Sequence, residues 1–441
     1  MQKIKSYILS RSVFAPRIKL LGAKKDFYEA YGNNNLAIVD HQLNSFNKVW
    51  KRALSDVAFY KWWAKEYHLP KQLNSLEELK SFPVLTKEIM QQKQSLIFVE
   101  GRRYKTVSTG GSSGQPTRFI TTKNEKSIEY SNTYLGRSKF GIAPFDPTIL
   151  FWGHSHLFGS GIKGNINELK RKFADNLLSI KRFNAYDLSV DTISYYVEKL
   201  INEKTKCLIG YTSSIYSLAR YILDNKIKLD LSSSLKGVIV TSETISDRDI
   251  EIIGKAFKVP VISEYGMAET SVVAYSVPNE RGLKIFWDSF IVQIDRSKQL
   301  NLTTIYDRKF PLINYSTDDV ASPLKEVESS VLKIEKIEGR RRDNIKLRTK
   351  NKGFVEISGI LLVHITKGSR GVYSISYKQC ENYEVEIYVV TAPGVDVSQV
   401  FRRFLLDLKK ENAEIDPLAI RMIKKVQPNR TLAGKNAMKV N

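Results

Sequence analysis

The most constraining feature of this chain is an alternation of apolar runs and helix-patterned segments between residues 148 and 264. Short apolar runs predict strands, and the segments between them have the spacing of amphipathic helices. The predicted strands are Thr148–Trp152, Cys207–Gly210, Leu235–Thr241 and Val261–Glu264. The predicted helices between them are Ser189–Glu203, Ser214–Asn225 and Asp247–Phe257. This alternation predicts a layered α/β domain with a largely parallel sheet, whose ligand loops follow the carboxyl ends of the strands.

The remaining segments predict further structure on both sides of this region. Residues 40–80 have helical spacing, and Thr86 is a candidate N-cap for a helix that follows it. Beyond residue 285 the pattern changes to short strands, and the tail from about residue 343 resembles a small α+β unit. The predicted short strands are Ile285–Trp287, Phe290–Ile294 and Leu302–Tyr306. With 441 residues the chain exceeds one ordinary domain, so we divide it into residues 1–340 and 341–441.

Composition narrows the possible partners. The net charge of +23 would suit nucleic acid or an anionic membrane surface. The lysines are mostly dispersed, however, which disfavours nucleic acid; the one dense cationic cluster is 339–352. No signal peptide or membrane-spanning segment is evident, which predicts a cytoplasmic protein and leaves only peripheral membrane contact open. Cys207 and Cys380 are too far apart in sequence for a metal knuckle, and two cysteines make no disulfide framework.

A glycine-rich segment, TVSTGGSSGQPT at 106–117, has the composition of a loop that wraps a polyphosphate. Glycines let backbone N–H groups converge, and small hydroxyls add donors without bulk. The segment lacks the lysine of a Walker A loop, and a flexible surface turn is the alternative interpretation. Its flanks predict a β-hairpin. The candidate phosphate-binding residues are Thr109, Gly110, Gly111, Ser112, Ser113 and Gly114.

Four later segments carry further candidate residues in a fixed order. SEYGMAET at 263–270 offers Tyr265 for stacking on a purine and Glu269 for a magnesium ion. FPLINYSTDDVA at 310–321 contains Asp319, a candidate acceptor for ribose hydroxyls. A basic segment follows at 339–346, and Lys435 lies on a predicted turn near the end. Taken singly, each of these residues is more often structural than functional.

Together these segments resemble the motif series of the adenylate-forming superfamily, which includes acyl-CoA ligases and adenylation domains. Within it they are most similar to the phenylacetate–CoA ligase and CapK-like branch. The resemblance also draws on PVLTKE, GYTSS, LKGVIVTSETI and YGMAE, and it runs from about residue 80 to residue 440. It implies a large α/β AMP-binding domain with a small β subdomain, followed by a small mobile α+β lid.

The resemblance implies a two-step reaction and assigns the residues. A carboxylate attacks the α-phosphate of ATP, and the acyl adenylate then passes to CoA or to an amine or sugar acceptor, as in polysaccharide biosynthesis. The glycine-rich loop would cradle phosphates, Glu269 would bind Mg²⁺, and Lys435 would bridge the carboxylate and the α-phosphate. The nucleotide contacts implied by position are Ser242, Glu243, Tyr265, Gly266, Met267, Asp319 and Arg340.

The acyl pocket is the least specified part of the resemblance. His154, His156 and Tyr211 are the candidate substrate contacts, although a structural imidazole is the alternative for either histidine. The basic run at 339–352 could meet solvent, the phosphates of CoA or an anionic acceptor.

Four positions depart from the pattern of the family. Asp318 and Ser242 stand where glycine is usual, and Arg342 occupies a hinge position that is commonly aspartate. Thr349 replaces a glycine that lets pantetheine pass in many acyl-CoA ligases, which weakens the inference of CoA transfer. These departures, with the net charge, leave one alternative function: a catalytically weakened relative that binds a nucleotide or a polyanion.

Overall fold

The computed structural model describes most of the chain. The described residues are 7, 9, 11, 14–98, 103–108, 117–152, 161–185, 190–229, 231, 234–340, 344–367, 369, 371–426, 429 and 439–440. The statements that follow concern these residues.

Helices and strands follow one another in the order that the sequence predicts, with additions. The helices are α1 (Ala15–Tyr31), α2 (Asn35–Asp56), α3 (Ala58–Glu66), α4 (Lys87–Gln92), α5 (Gln94–Ile97), α6 (Lys123–Ser138), α7 (Gly161–Leu177), α8 (Val190–Asn202), α9 (Thr212–Asp224), α10 (Asp247–Phe257), α11 (Gly359–Lys367) and α12 (Val397–Glu411). Short 3₁₀ turns occur at Leu76–Ser81, Glu381–Tyr383 and Pro417–Ala419.

The strands number from β1 to β19 in the described part of the chain. They are β1 (Thr106–Ser108), β2 (Arg118–Ile120), β3 (Thr148–Phe151), β4 (Ile180–Phe183), β5 (Cys207–Tyr211), β6 (Gly237–Thr241), β7 (Val261–Met267), β8 (Ser271–Ser276), β9 (Leu283–Ile285), β10 (Phe290–Ile294), β11 (Gln299–Thr304), β12 (Tyr315–Val327), β13 (Ser330–Arg340), β14 (Asn344–Arg348), β15 (Phe354–Ser358), β16 (Val372–Gln379), β17 (Val385–Thr391), β18 (Ile420–Lys424) and β19 (Lys439–Val440).

Two compact units organise the chain. Unit 1 comprises residues 1–144 and 264–337, and unit 2 comprises residues 145–263 and 338–441. Each unit therefore contains two separate stretches of sequence.

Unit 1 has a core rich in aromatic side chains. Trp50, Tyr60 and Trp63 lie on α2 and α3 and are fully buried, together with Phe82. The rings of Trp50 and Phe82 pack edge to face with their centroids 5.2 Å apart, a favourable arrangement for aromatic pairs. The helical spacing of residues 40–80 is confirmed, although the helix is interrupted at Val57 between α2 and α3.

A buried ion pair holds the N-terminal helix of unit 1 in place. Lys24 on α1 lies 2.6 Å from Asp288 and donates to Ser289 at 3.0 Å. Burial lowers the pKa of Lys24, and the neighbouring Asp288 carboxylate opposes that shift. Removing Asp288 would leave a buried cation without its counterion, so this pair fixes where α1 packs.

The sheet of unit 1 is antiparallel. Its strands lie in the order β10-β11-β12-β13-β9-β8-β7, and the registered pairs among them run antiparallel. Phe290–Ile294 is confirmed as a strand, whereas the strands predicted at Ile285–Trp287 and Leu302–Tyr306 are shifted toward the N-terminus. The predicted parallel arrangement therefore does not extend beyond residue 264.

In residues 145–263 unit 2 has the predicted α/β layering. Strands β4, β3, β5 and β6 are neighbours in that order, and each registered pair among them is parallel. The predicted helices and strands of this region are confirmed, and α10 has the predicted bounds. The sequence analysis missed α7 and β4.

The C-terminal tail of unit 2 has a sheet and an apolar cluster of its own. Its four-stranded sheet has the order β18-β17-β16-β19, covered by α11 and α12. The buried apolar cluster is formed by residues between 345 and 420. Ser217 on α9 donates to the carbonyl of Tyr373 on β16 at 2.9 Å, which links this tail to the rest of unit 2. The predicted α+β character of the tail is confirmed.

None of the described helices combines the length and the hydropathy that crossing a bilayer requires.

Candidate active site

The YGMAET segment forms a tight hairpin in unit 1. Strand β7 continues to Met267, three residues further than predicted, and pairs with β8 through a bulge after Tyr265. Gly266 lies at this bulge, where an added Cβ would stand 2.4 Å from the carbonyl oxygen of Ser271. A side chain would collide with backbone there, so the close approach of the two strands requires glycine.

Tyr265 and Asp319 are brought together by β7 and β12. The Tyr265 hydroxyl donates to Asp319 Oδ2 at 2.7 Å, and both side chains are half-buried. Strand β12 begins in the PLINYSTDD segment, so two motifs that are 54 residues apart meet at one point. The arrangement sets an aromatic ring beside a carboxylate, which suits a nucleoside: the ring can stack on a base and the carboxylate can accept ribose hydroxyls.

Glu269 lies in the turn after β7 and is almost completely buried. Its Oε1 accepts a hydrogen bond from the Tyr315 hydroxyl at 2.9 Å, and Lys87 Nζ lies 3.6 Å from the same oxygen. Burial, and secondarily the charge of Glu269, raise the pKa of Tyr315 well above its ordinary value. Tyr315 therefore stays protonated and remains a donor to this carboxylate.

A backbone contact delivers Lys87 to this carboxylate. Leu85 pairs with Tyr315 in an isolated parallel bridge, its N–H donating to Asn314 at 3.0 Å and its carbonyl accepting from Ser316 at 2.9 Å. Helix α4 begins two residues after Leu85, with Thr86 as the predicted N-cap accepting from the Ile89 N–H at 3.3 Å. Lys87 is thus the first helical residue, positioned by β12.

Arg308 stabilises the turn through a hydrogen bond to its backbone. This fully buried guanidinium donates to the Glu269 carbonyl at 2.9 Å and to the Tyr306 hydroxyl at 2.8 Å. Glu125, also fully buried, has Oε2 3.9 Å from Arg308. A buried charge needs both a counterion and hydrogen bonds, and Arg308 finds them in this network.

Lys87, Tyr315 and Arg308 were not identified as site residues from the sequence. Lys87 lies in the PVLTKE motif and Tyr315 lies in the PLINYSTDD motif. Neither position in sequence indicates a contact with Glu269. Arg308 lies between β11 and β12, where a lone cation carries no motif.

The Glu269 group fits a magnesium ion of the kind that also needs substrate oxygens. Mg²⁺ is commonly held by one or two protein carboxylates together with phosphates. Tyr315 and Lys87 both approach Oε1, so protein contacts fix the orientation of this carboxylate. Among the described residues no group of three His, Cys, Asp or Glu side chains forms a cage, so the phosphates would supply the other ligands.

Unit 2 contains a second cluster of predicted residues. Strands β5 and β6 end side by side, with Tyr211 paired to Thr241. Glu243 follows β6 and accepts from the Ser213 N–H at 2.6 Å and from its hydroxyl at 3.1 Å. Tyr211 is buried, and its ring centroid lies 4.4 Å from that of Trp152 at the end of β3.

Two of the glycine replacements keep a glycine-like backbone. Ser242 has φ of 65° and Asp318 has φ of 63°, both in the left-handed region that favours glycine. Both positions therefore have the backbone conformation for which glycine is preferred. Thr349 is different, because its backbone does not adopt a positive φ.

The other predicted residues have varied locations. Met267 ends β7, and Arg340 is exposed at the end of β13 in unit 2. Strands β1 and β2 pair antiparallel on either side of the glycine-rich segment, as predicted. The predicted residues that lie outside the described part of the chain are Thr109, Gly110, Gly111, Ser112, Ser113, Gly114, His154, His156, Arg342 and Lys435.

Structural comparison identifies the class of fold. The crystal structure of 2-hydroxyisobutyryl-CoA ligase in the postadenylation state matches with a TM-score of 0.66 at 15% identity, covering 93% of this chain and 90% of that one. The anthranilate CoA ligase AuaEII in complex with anthranoyl-AMP matches with a TM-score of 0.53 at 13% identity, covering 75% and 64%. The chain has the fold of the adenylate-forming ligases.

Sequence comparison adds a particular relative. Protein CapK of Staphylococcus aureus is 23% identical over 381 residues, covering 83% of this chain and 82% of CapK. No protein-family model matches the chain. The resemblance to the CapK-like branch of adenylate-forming proteins is thereby confirmed.

Proposed function

We propose that the protein is an ATP-dependent, AMP-forming carboxylate ligase. It converts a small carboxylic acid to an acyl adenylate with release of pyrophosphate and then transfers the acyl group to an acceptor. The 2-hydroxyisobutyryl-CoA ligase and AuaEII structures named above contain acyl adenylates, and the similarity of fold supports the same first step here.

The observation that carries this proposal is the hydrogen bond between Tyr265 and Asp319 beside the turn that holds Glu269. A ring, a ribose-binding carboxylate and a metal-binding carboxylate then converge within unit 1. This combination suits a nucleoside polyphosphate, which presents a base, a ribose and metal-bound phosphates. For unit 2, the proposal keeps nucleotide contacts at Ser242, Glu243 and Arg340 and substrate contact at Tyr211.

Charge neutralisation explains how such a site would accelerate adenylation. The attacking carboxylate and the ATP phosphates are all anionic, so catalysis comes mainly from positioning and from fixed positive charge. A bound Mg²⁺ would neutralise charge on the phosphates. Glu269 would hold it, while Tyr315 and Lys87 fix the orientation of the carboxylate through Oε1.

Lys435 is the proposed cation at the reacting centre. Its ammonium would lie between the substrate carboxylate and the α-phosphate during the first step. Residues 341–441 would act as the lid domain that carries it, turning about Arg342 when the second step begins.

The acceptor in the second step is either CoA or an amine or sugar. CoA is supported by the fold, since 2-hydroxyisobutyryl-CoA ligase and AuaEII are CoA ligases. Similarity to CapK supports a polysaccharide setting, and Thr349 stands where many CoA ligases have glycine. Mass spectrometry of products from a preformed adenylate with each acceptor would distinguish the two.

Carboxylate-dependent exchange of labelled pyrophosphate into ATP tests the first step. We expect exchange with at least one member of a broad acid panel and a loss of about 10²–10³-fold in Lys435→Ala. Nucleotide binding, measured by calorimetry, should persist in this variant. Lys439→Ala is the matched control, because Lys439 pairs with Tyr377 in β16 and should leave exchange unchanged.

One result would contradict the ligase proposal, and another would contradict only the role of Lys435. Absence of exchange across the panel, combined with nucleotide binding, would favour the weakened, binding-only relative. Full exchange by Lys435→Ala would exclude Lys435 from the reaction and leave the ligase activity itself standing.

A further inference from the structure

Helix α7 exposes four large apolar side chains. The exposed fractions are 46% for Ile166, 69% for Leu169, 73% for Phe173 and 42% for Leu177. These residues are spaced by three and four positions, so they fall on one face of the helix. We call these four residues the apolar stripe. Single exposed apolar residues are ordinary, but a contiguous row of four large ones marks an interaction surface.

The opposite side of α7 packs inward through polar groups. Asp175 is buried, and it accepts from Arg182 Nε at 2.5 Å and from Arg182 NH2 at 3.0 Å. Arg182 lies on β4, the strand that follows the helix. A helix on a globular protein ordinarily does the reverse, burying its apolar face and presenting charge to water. The inversion leaves the stripe uncovered by the described residues and available for binding.

Positive charge surrounds the stripe. Lys170 is exposed four residues after Ile166 and three before Phe173, which places it on the same face. Arg171 is exposed beside it, and the exposed Lys172 pairs with Glu168 at 2.8 Å. The whole chain carries a net charge of +23.

These charges select between the two simplest occupants. A second copy of the chain would bring Lys170 and its neighbours against the same cations and would join two strongly positive molecules. An anionic bilayer surface reverses this effect: its headgroups attract the cations while its acyl region takes up the apolar side chains. A narrow apolar stripe with flanking Lys and Arg is the pattern of helices that lie in a membrane interface.

We propose that α7 docks the protein on an anionic lipid surface through the apolar stripe. The helix would lie in the plane of the interface, with Leu169 and Phe173 inserted and Lys170 among the headgroups. The proposal rests on α7 alone and is independent of the ligase reaction.

Co-sedimentation with lipid vesicles tests the proposal directly. We expect the full chain to bind vesicles that contain phosphatidylglycerol, to bind phosphatidylcholine vesicles at least tenfold more weakly, and to dissociate as salt is raised. Leu169→Glu and Phe173→Glu should each reduce binding to the anionic vesicles at least tenfold. Lys170→Gln should reduce it less.

The matched control is Leu36→Glu on α2. Leu36 is 70% exposed, almost the same as Leu169, and lies in unit 1 outside any apolar row. Leu36→Glu should bind vesicles like the native chain. Circular dichroism and urea midpoints would verify that all variants fold.

Three outcomes would overturn the proposal. The native chain could fail to bind anionic vesicles, or the stripe variants could bind as well as Leu36→Glu does. Alternatively, light scattering could detect a dimer of the native chain that Phe173→Glu dissociates, which would make a second copy the occupant of the stripe.

Discussion

Two glutamates that follow strands, Glu269 in unit 1 and Glu243 in unit 2, are held in different ways. The Glu243 carboxylate accepts from the N–H and the hydroxyl of Ser213, and its carbonyl accepts from the Thr212 hydroxyl at 3.3 Å; both residues directly follow β5, the strand adjacent to β6. Glu269 is contacted by Tyr315 and Lys87, and its carbonyl is held by Arg308. One carboxylate thus depends on the ends of two neighbouring strands, and the other depends on remote segments of a packed unit. The position of Glu243 is therefore fixed by the order of the strands, whereas that of Glu269 is fixed by tertiary packing.

The largest expected effect comes from breaking the support beneath Glu269. Arg308→Met should lower the free energy of unfolding by about 3–5 kcal/mol, because it leaves the buried Glu125 without its cation. Arg281→Met in the same unit should cost less than about 1 kcal/mol, since Arg281 is exposed and its partner Glu335 lies at the surface. Urea denaturation followed by circular dichroism measures both. Equal losses of unfolding free energy in the two variants would show that the buried network stabilises the protein no more than a surface ion pair does.

The two carboxylates should also differ in their effect on magnesium dependence. Glu269→Gln removes the proposed metal ligand and should raise the magnesium concentration for half-maximal exchange by about 10–100-fold. Glu243→Gln alters a proposed nucleotide contact and no proposed metal ligand, so it should change the ATP concentration for half-maximal exchange more than the magnesium concentration. Titrations of the exchange rate against magnesium and against ATP distinguish the two variants. Unchanged magnesium dependence in Glu269→Gln would show that Glu269 is not a magnesium ligand.

Removing one hydrogen bond from each carboxylate gives a smaller contrast. Tyr315→Phe should lower the free energy of unfolding by about 1–3 kcal/mol, because it strips a donor from a buried carboxylate. Ser213→Ala should cost about 1 kcal/mol or less, since the backbone N–H of the same residue still donates to Glu243. The raised pKa of Tyr315 keeps its hydroxyl protonated, so the Tyr315→Phe effect should be constant across neutral and mildly alkaline pH. Effects of equal size would mean that Glu269 is no more dependent on tertiary contacts than Glu243.

The smallest effects concern two residues with a left-handed backbone, Ser242 in unit 2 and Asp318 in unit 1. Ser242→Gly and Asp318→Gly should each raise the free energy of unfolding by about 0.5–1 kcal/mol, because glycine adopts a positive φ without strain. Ser55→Gly, within α2, should have the opposite sign and a similar size. A loss of stability at Ser242 or Asp318 would indicate that the side chain makes a contact worth more than the strain.

The regular part of the fold was predictable from sequence because strong periodicity coincided with burial. The alternation at residues 148–264 gave the parallel strands and helices of unit 2, and Thr86 was correctly placed as an N-cap. Helix α7 was not predicted, although Ile166, Leu169, Phe173 and Leu177 have helical spacing; the sequence pattern alone does not reveal that this apolar face is exposed. The antiparallel sheet of unit 1 was only partly predicted, since its strand order joins segments that are distant in the chain.

The candidate site was predictable only where its residues lie in motifs that resemble those of a known family. Tyr265, Glu269 and Asp319 were selected from motifs by resemblance, and their functional roles stay predictions. Lys87 reaches Glu269 through the bridge between Leu85 and Tyr315, a long-range backbone contact without a local pattern. The glycine-rich loop and Lys435 stay predictions as well.

The position of Trp152 offers a built-in optical reporter. The chain has five tryptophans, and Trp50, Trp62, Trp63 and Trp287 belong to unit 1, so Trp152 is the single indole of unit 2. Its ring lies against Tyr211, a predicted substrate contact. Subtracting the emission spectrum of Trp152→Phe from that of the native chain would isolate one fluorophore beside the candidate acyl pocket, with no attached dye.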